Sequence, residues 1–167
     1  MNILVTGAVS AIGRLLRAKL GTVSNDKHIF SDVYPSDPQT GEKLEILDPT
    51  SLEVVCEFVK ENSIEVIVNC LSYEETSEIT DDFKLANLLN AKVPENLANA
   101  MKNVGGMLVQ VSTGYDANTK RYKCPFPNTK VCGEYRISDT GCRHNAIRCW
   151  TASEETVEEI VAAIHGE

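Results

Sequence analysis

No apolar run in this sequence approaches the roughly 20 residues that a membrane-spanning helix needs. The opening MNILVTGAVSAIG has no basic segment ahead of its apolar run, and a glycine interrupts it at position 7, so no signal peptide is expected. Positive charge is also in deficit, with a net charge of −8 at pH 7. Binding to phosphate polymers rests on Lys and Arg, so DNA, RNA and anionic membranes are poor default partners. A cytoplasmic location is expected. Six cysteines are present, but none form a C-x-x-C pair, so no zinc site is expected. Cys56 and Cys70 read as small core residues, and the rest as buried or free thiols in a reducing compartment. Internal repeats and low-complexity tracts are missing too.

What is present suits one domain over residues 1–167, with hydrophobic residues at 43% to fill a core. Short apolar runs alternate with helical patterns. NILVT (2–6), HIFSD (28–32), EVIVNC (65–70), MLVQVS (107–112) and NAIRCW (145–150) read as strands. Helices are predicted over 11–20, after Asp48-Pro49-Thr50, over 83–103 with a kink or restart at Pro94, over 128–138, and after Ser153. Thr50 is the expected cap of the second helix, with Leu52, Val55, Cys56 and Val59 as its apolar stripe. Residues 33–44, 74–82 and 114–127 read as loop or irregular chain. This order predicts an α/β, doubly wound, mostly parallel sheet with helices on both faces.

The first strand runs straight into TGAVSAIG and a helix. In such a turn the first glycine permits a tight bend. A small central residue admits a pyrophosphate, and the last glycine lets the helix pack close to the sheet. Gly7 and Gly13 hold the outer places, and Ser10 stands where the central glycine is usual. Asp32 ends the second strand, 19 residues beyond Gly13, where a carboxylate accepts ribose hydroxyls and repels a 2′-phosphate. The pattern points to NAD over NADP. Its alternative is a tight turn that binds nothing.

NILVTGAVSAIGRLL, FSDV, the aspartate of LDPT, EVIVNCLSY, LLNAKVPENLA, LVQVSTGY and TKVCGE follow in order. Together they resemble dTDP-4-dehydrorhamnose reductase, an extended short-chain dehydrogenase/reductase with an NAD(P)-binding Rossmann fold. The resemblance spans Met1 to about Trp150. It implies that Gly7, Ala8, Ser10, Ile12 and Gly13 form the dinucleotide loop, that Asp32 meets the adenosine ribose, and that Asp48 reaches the adenine amine. Cys70, Leu71 and Tyr73 would line the nicotinamide ribose, and Asn90 is the matching asparagine of the central helix. Thr113 and Lys130 are the matching catalytic partners, the lysine orienting the ribose. Taken without the resemblance, Lys130 reads as a solvated helix lysine and Thr113 as a strand-end hydroxyl.

The departures matter as much. Gly114 replaces an aspartate in the family's S-T-D-Y, although Tyr115 remains. Phe126 stands at the place of the catalytic tyrosine, four residues before Lys130. Tyr115 and Tyr122 are the other phenols near that place in sequence. The segment between the two motifs is shortened, and the substrate-binding region that follows Trp150 in the family is expected to be largely absent. Two readings result. One is a reductase of a nucleotide-linked 4-keto-sugar with impaired chemistry. The other is a non-catalytic nucleotide-binding or regulatory module, as the beta subunit of methionine adenosyltransferase is. A homodimer or a partner protein is expected to cover uncovered apolar surface.

Overall fold

In the computed structural model of the protein, the described residues are 1–23, 25–73, 83–114 and 125–166, with side chains described for all of these except 23 and 125–127. Six strands form one sheet: β1 (Asn2–Thr6), β2 (Lys27–Asp32), β3 (Glu45–Ile46), β4 (Val66–Asn69), β5 (Met107–Thr113) and β6 (Arg143–Cys149). Their spatial order is β3-β2-β1-β4-β5-β6, and every pairing is parallel. The chain starts in the middle of the sheet, builds outward to one edge, then crosses to the other side. The predicted doubly wound architecture is therefore present.

Successive side chains of a strand point to opposite faces. Ile3, Val5, Val66, Val68, Val109 and Val111 pack on one face against Ile12, Leu16 and Leu20 of α1 (Ala11–Val23) and Val157, Ile160 and Ile164 of α6 (Glu154–His165). Leu4, Ile67 and Leu108 point the other way. They meet Val55 and Val59 of α2 (Leu52–Glu61), Val93, Leu97 and Met101 of α4 (Val93–Val104), and Ile137 of α5 (Pro125–Thr140). Strands β1, β4 and β5 are thus covered on both sides, which explains their continuous apolar runs.

Several local expectations need correction. The cap of α2 is Ser51, whose hydroxyl accepts from the Val54 amide, and not Thr50. Thr50 is bound to Asp48 instead, donating to its carboxylate from both the amide (3.0 Å) and the hydroxyl (2.7 Å). Leu52 is exposed and lies off the apolar stripe. Strand β3 was not predicted. Helix α5 begins at Pro125, three residues earlier than the pattern suggests. Proline suits a first helical position because that N–H has no intrahelical partner.

The long pattern over 83–103 divides into α3 (Phe83–Asn87), a π-helical turn (Leu88–Lys92) and α4. The Val93 amide donates to the Leu88 carbonyl, five residues back. Pro94 has no N–H for the carbonyl of Asn90, so the wider turn falls where a regular helix would lose a bond. Among the described residues, no helix is long and apolar enough to cross a membrane.

Candidate nucleotide site

The carboxyl ends of β1, β4 and β5 and the start of α1 meet at one edge of the sheet, at the point where the strand order reverses. In open α/β sheets this crevice is where ligands sit. The turn after β1 is closed by backbone contacts. Gly7 has φ +70°, and a β-carbon there would lie 2.4 Å from the Leu71 amide nitrogen. A β-carbon on Gly13 would lie 2.4 Å from the Gly7 carbonyl oxygen. Both positions admit only glycine.

Ser10 has a local role. Its amide donates to the Gly7 carbonyl at 3.0 Å, and its hydroxyl accepts from the Gly13 amide at 3.1 Å. It caps α1 and turns its oxygen into the helix. The first turn of α1 carries no acidic residue, so nothing there opposes an incoming anion. Ala8 and Ile12 are buried and pack the turn.

Asp32, at the end of β2, is 9% exposed. One carboxylate oxygen accepts from the Val9 amide (3.2 Å) and the other from Val33 (2.8 Å). The carboxylate is thereby fixed against the glycine turn. Asp48 is exposed on the same side, just after Leu47, whose amide donates to the Asp32 carbonyl at 3.1 Å.

Across the crevice, Lys130 is 5% exposed, which rules out a solvated helix lysine. Its ammonium donates to the carbonyls of Val111 (2.9 Å) and Leu71 (3.5 Å), bridging the ends of β5 and β4. Cys70 lies buried nearby. Burial pushes its thiol up to about 12, with the Lys130 cation opposing the shift. The sulfur is neutral at any physiological pH.

Asn90, on the π turn, ties the second wall together. Its oxygen accepts from the Tyr73 amide at 2.8 Å; its nitrogen donates to the Tyr73 carbonyl (3.0 Å) and the Thr129 hydroxyl (3.1 Å). Gly133 lets α5 come close, since a β-carbon there would lie 2.2 Å from the Asn90 carbonyl oxygen. Thr113 ends β5 and is buried, with its carbonyl accepting from Arg148 at 3.3 Å. Phe126 lies in the first turn of α5, one helical turn before Lys130. Tyr115, Tyr122, Cys124 and the acidic stretch 74–82 lie outside the described residues.

Two groups of supporting residues were not singled out from the sequence. A buried polar run crosses the sheet under the crevice. Thr6 donates to the Asn69 oxygen, and the Asn69 nitrogen donates to Gln110, both at 2.8 Å. The Asn69 oxygen also accepts from the Leu71 amide at 3.2 Å. Beside Thr113, Glu134 accepts from the Ser112 hydroxyl and, at 2.7 Å, from Arg148. For Asn69 and Gln110 the sequence signal was a polar letter inside an apolar strand, as in IVNC and LVQVS, whereas Glu134 closes the TKVCGE motif.

A profile of the RmlD substrate binding domain family matches residues 1–162. The chain belongs to this family. Within it, the chain is 32% identical over 159 residues to a dTDP-4-dehydrorhamnose reductase of Shigella flexneri, covering 89% of this chain and 50% of that one. It is 28% identical over 144 residues to methionine adenosyltransferase 2 subunit beta of Xenopus laevis, covering 80% of this chain and 42% of that one. The crystal structure of a dTDP-4-dehydrorhamnose reductase from Clostridium acetobutylicum superposes with a TM-score of 0.73 at 29% identity, over 89% of this chain and 52% of that one. The chain thus spans about half the length of the relatives it matches. The resemblance drawn from the ordered motifs holds at the level of family and fold.

Proposed function

We propose that this chain forms the nicotinamide-dinucleotide half of a reductase acting on a nucleotide-linked 4-keto-sugar, with its proton-transfer step impaired. The observation that carries the reading is the glycine cradle. Gly7 and Gly13 leave no room for a β-carbon, and they hold the start of α1 against the crevice that Asp32 and Lys130 flank. Backbone amides at a helix start stabilise a pyrophosphate, so the residues present suit a dinucleotide.

In this reading Asp32 accepts the adenosine ribose hydroxyls and disfavours a 2′-phosphate, so NAD(H) is taken over NADP(H). The Tyr73 backbone, held by Asn90, would border the nicotinamide ribose, and Lys130 would orient it. A bound dihydronicotinamide would supply the hydride for a carbonyl carbon. The carbonyl oxygen then needs a proton, which in this fold a tyrosine on α5 would donate. Phe126 has none to give. Loss of one positioned acid costs about 10²- to 10⁴-fold in rate.

Phe126 also favours a second reading, a nucleotide-binding module that regulates a partner protein or a second copy. The similarity to an adenosyltransferase subunit supports it. Titration calorimetry with NADH and NADPH tests the shared part. Binding abolished by Gly7→Val supports the cradle, and no binding by the unaltered chain removes both readings. Turnover of a dTDP-4-keto-sugar by Phe126→Tyr separates them. Turnover gained supports the impaired reductase, whereas none with NADH bound favours the module.

A further inference from the structure

The loop after β2 hides a carboxylate that cofactor binding as described does not use. Asp37 is 1% exposed, in a segment whose composition reads as surface loop. It accepts from Arg14 twice, through Nε at 2.8 Å and Nη2 at 2.9 Å, and from Arg17 Nη2 at 2.6 Å. The Gln39 amide adds a fourth bond at 2.8 Å. The loop around it is braced. The Asp37 amide donates to Glu42, Gly41 donates back to the Asp37 carbonyl, and Leu44 donates to Pro35. Asp37 is therefore a fixed anchor for two guanidinium groups.

The position of those groups gives the anchor its meaning. Arg14 directly follows Gly13, and its main chain completes the first turn of α1 by donating to the Ser10 carbonyl at 3.0 Å. Asp32 holds the Val9 amide of the same turn at 3.2 Å, so Arg14 and that carboxylate flank one glycine turn. An arginine beside the ribose-binding acid is well placed to compensate a 2′-phosphate. Here its Nε–Nη2 edge is committed to Asp37, whose carboxylate offsets part of its charge. The balance is narrow. Two guanidinium groups share one buried carboxylate, Glu42 adds a contact to Arg17 at 2.8 Å from an exposed position, and Nε and Nη1 of Arg17 are buried without a hydrogen-bond partner.

We propose that Asp37 is a specificity-determining positioning residue, which holds Arg14 and Arg17 in a neutralised cluster so that the site selects against the 2′-phosphate of NADP(H). The inference rests on the nucleotide-binding reading above. Asp32 would repel the 2′-phosphate directly, and Asp37 would deny it the guanidinium groups of Arg14 and Arg17.

The test is the ratio of NADPH to NADH affinity, measured by calorimetry on the whole chain. Asp37→Asn keeps the shape and removes the charge. It is expected to improve NADPH binding about tenfold relative to NADH, and Arg14→Gln added to it should cancel that gain. An unchanged ratio in Asp37→Asn, with both nucleotides still bound, overturns the proposal and leaves the cradle standing. Failure of the unaltered chain to bind either nucleotide overturns both. Should Asp37→Asn not fold, Arg14→Gln alone decides. A ratio near that of the unaltered chain supports a neutralised Arg14, whereas a several-fold loss of NADPH affinity alone shows Arg14 already serving the 2′-phosphate and overturns the proposal.

Discussion

Gly7 is pressed against Leu71, so that the first turn of the chain rests directly on the end of the strand beside it. With φ at +70°, the glycine also occupies a conformation that side chains strain to reach. Gly7→Ala is expected to cost at least about 1–3 kcal/mol from backbone strain, with the clash in addition, and to abolish nucleotide binding. Gly21 is the control: it lies in α1 with no atom within 4 Å of an added β-carbon. Gly21→Ala should be stabilising by about 0.5–1 kcal/mol. Urea unfolding of the two variants checks this, and equal effects would contradict the assignment of Gly7 to the cradle.

Asn90 holds three groups with one amide, so its loss should be felt beyond its own volume. Asn90→Ala removes three hydrogen bonds, two to the Tyr73 backbone and one to the Thr129 hydroxyl, at about 0.5–1.5 kcal/mol each. Hydrogen exchange at the Tyr73 amide should quicken as the global stability falls. Exchange at Tyr73 that follows global unfolding alone, in both forms, would show that this bond is not what orders the segment.

Lys130 is buried by its stem and bound by its head, which separates two effects. Lys130→Met preserves the stem, removes the ammonium bonds to the Val111 and Leu71 carbonyls, and removes the cation. NADH affinity is expected to fall about tenfold, and any turnover gained by Phe126→Tyr should disappear in the double variant. Turnover that survives without the ammonium would remove Lys130 from the chemistry.

The two arginines hold the Asp37 carboxyl well below the usual carboxylate range, Arg14 first through its hydrogen bonds. A group with a depressed native pKa stabilises the fold above its unfolded value of about 3.9 and loses that contribution as pH falls below it. The stability difference between the unaltered chain and Asp37→Asn should therefore be constant near neutrality and shrink progressively below about pH 4. Thermal melts from pH 7 down to pH 3 give the comparison. A difference that stays flat would mean that Asp37 is not the titrating group.

Much of the frame was legible because its strands are buried on both faces. Val66, Ile67 and Val68 could hardly be anything else. Strand β3 escaped because it is two residues long and both Glu45 and Ile46 are exposed. The cap of α2 was displaced by one residue because Thr50 and Ser51 both offer a hydroxyl, and only the structure shows Thr50 engaged with Asp48. Pro94 marked a break, but its form, a π turn closed by the Val93 amide on the Leu88 carbonyl, follows no local pattern. Of the site, Gly7, Gly13 and Asp32 are local and readable. Asn69 and Gln110 are 41 residues apart, and no local pattern pairs them.

The polar run from Thr6 through Asn69 to Gln110 also bears on how the sheet assembles. Strands buried on both faces carry no hydrophobic alternation to fix their register. Val, Ile and Leu are nearly interchangeable along these runs, so burial alone accepts a slip. A two-residue slip of β4 would strand the Asn69 amide among aliphatic neighbours, with its donors and acceptor unmet. The three polar side chains thus act as an alignment key. They penalise mispaired sheets that oiliness by itself would accept.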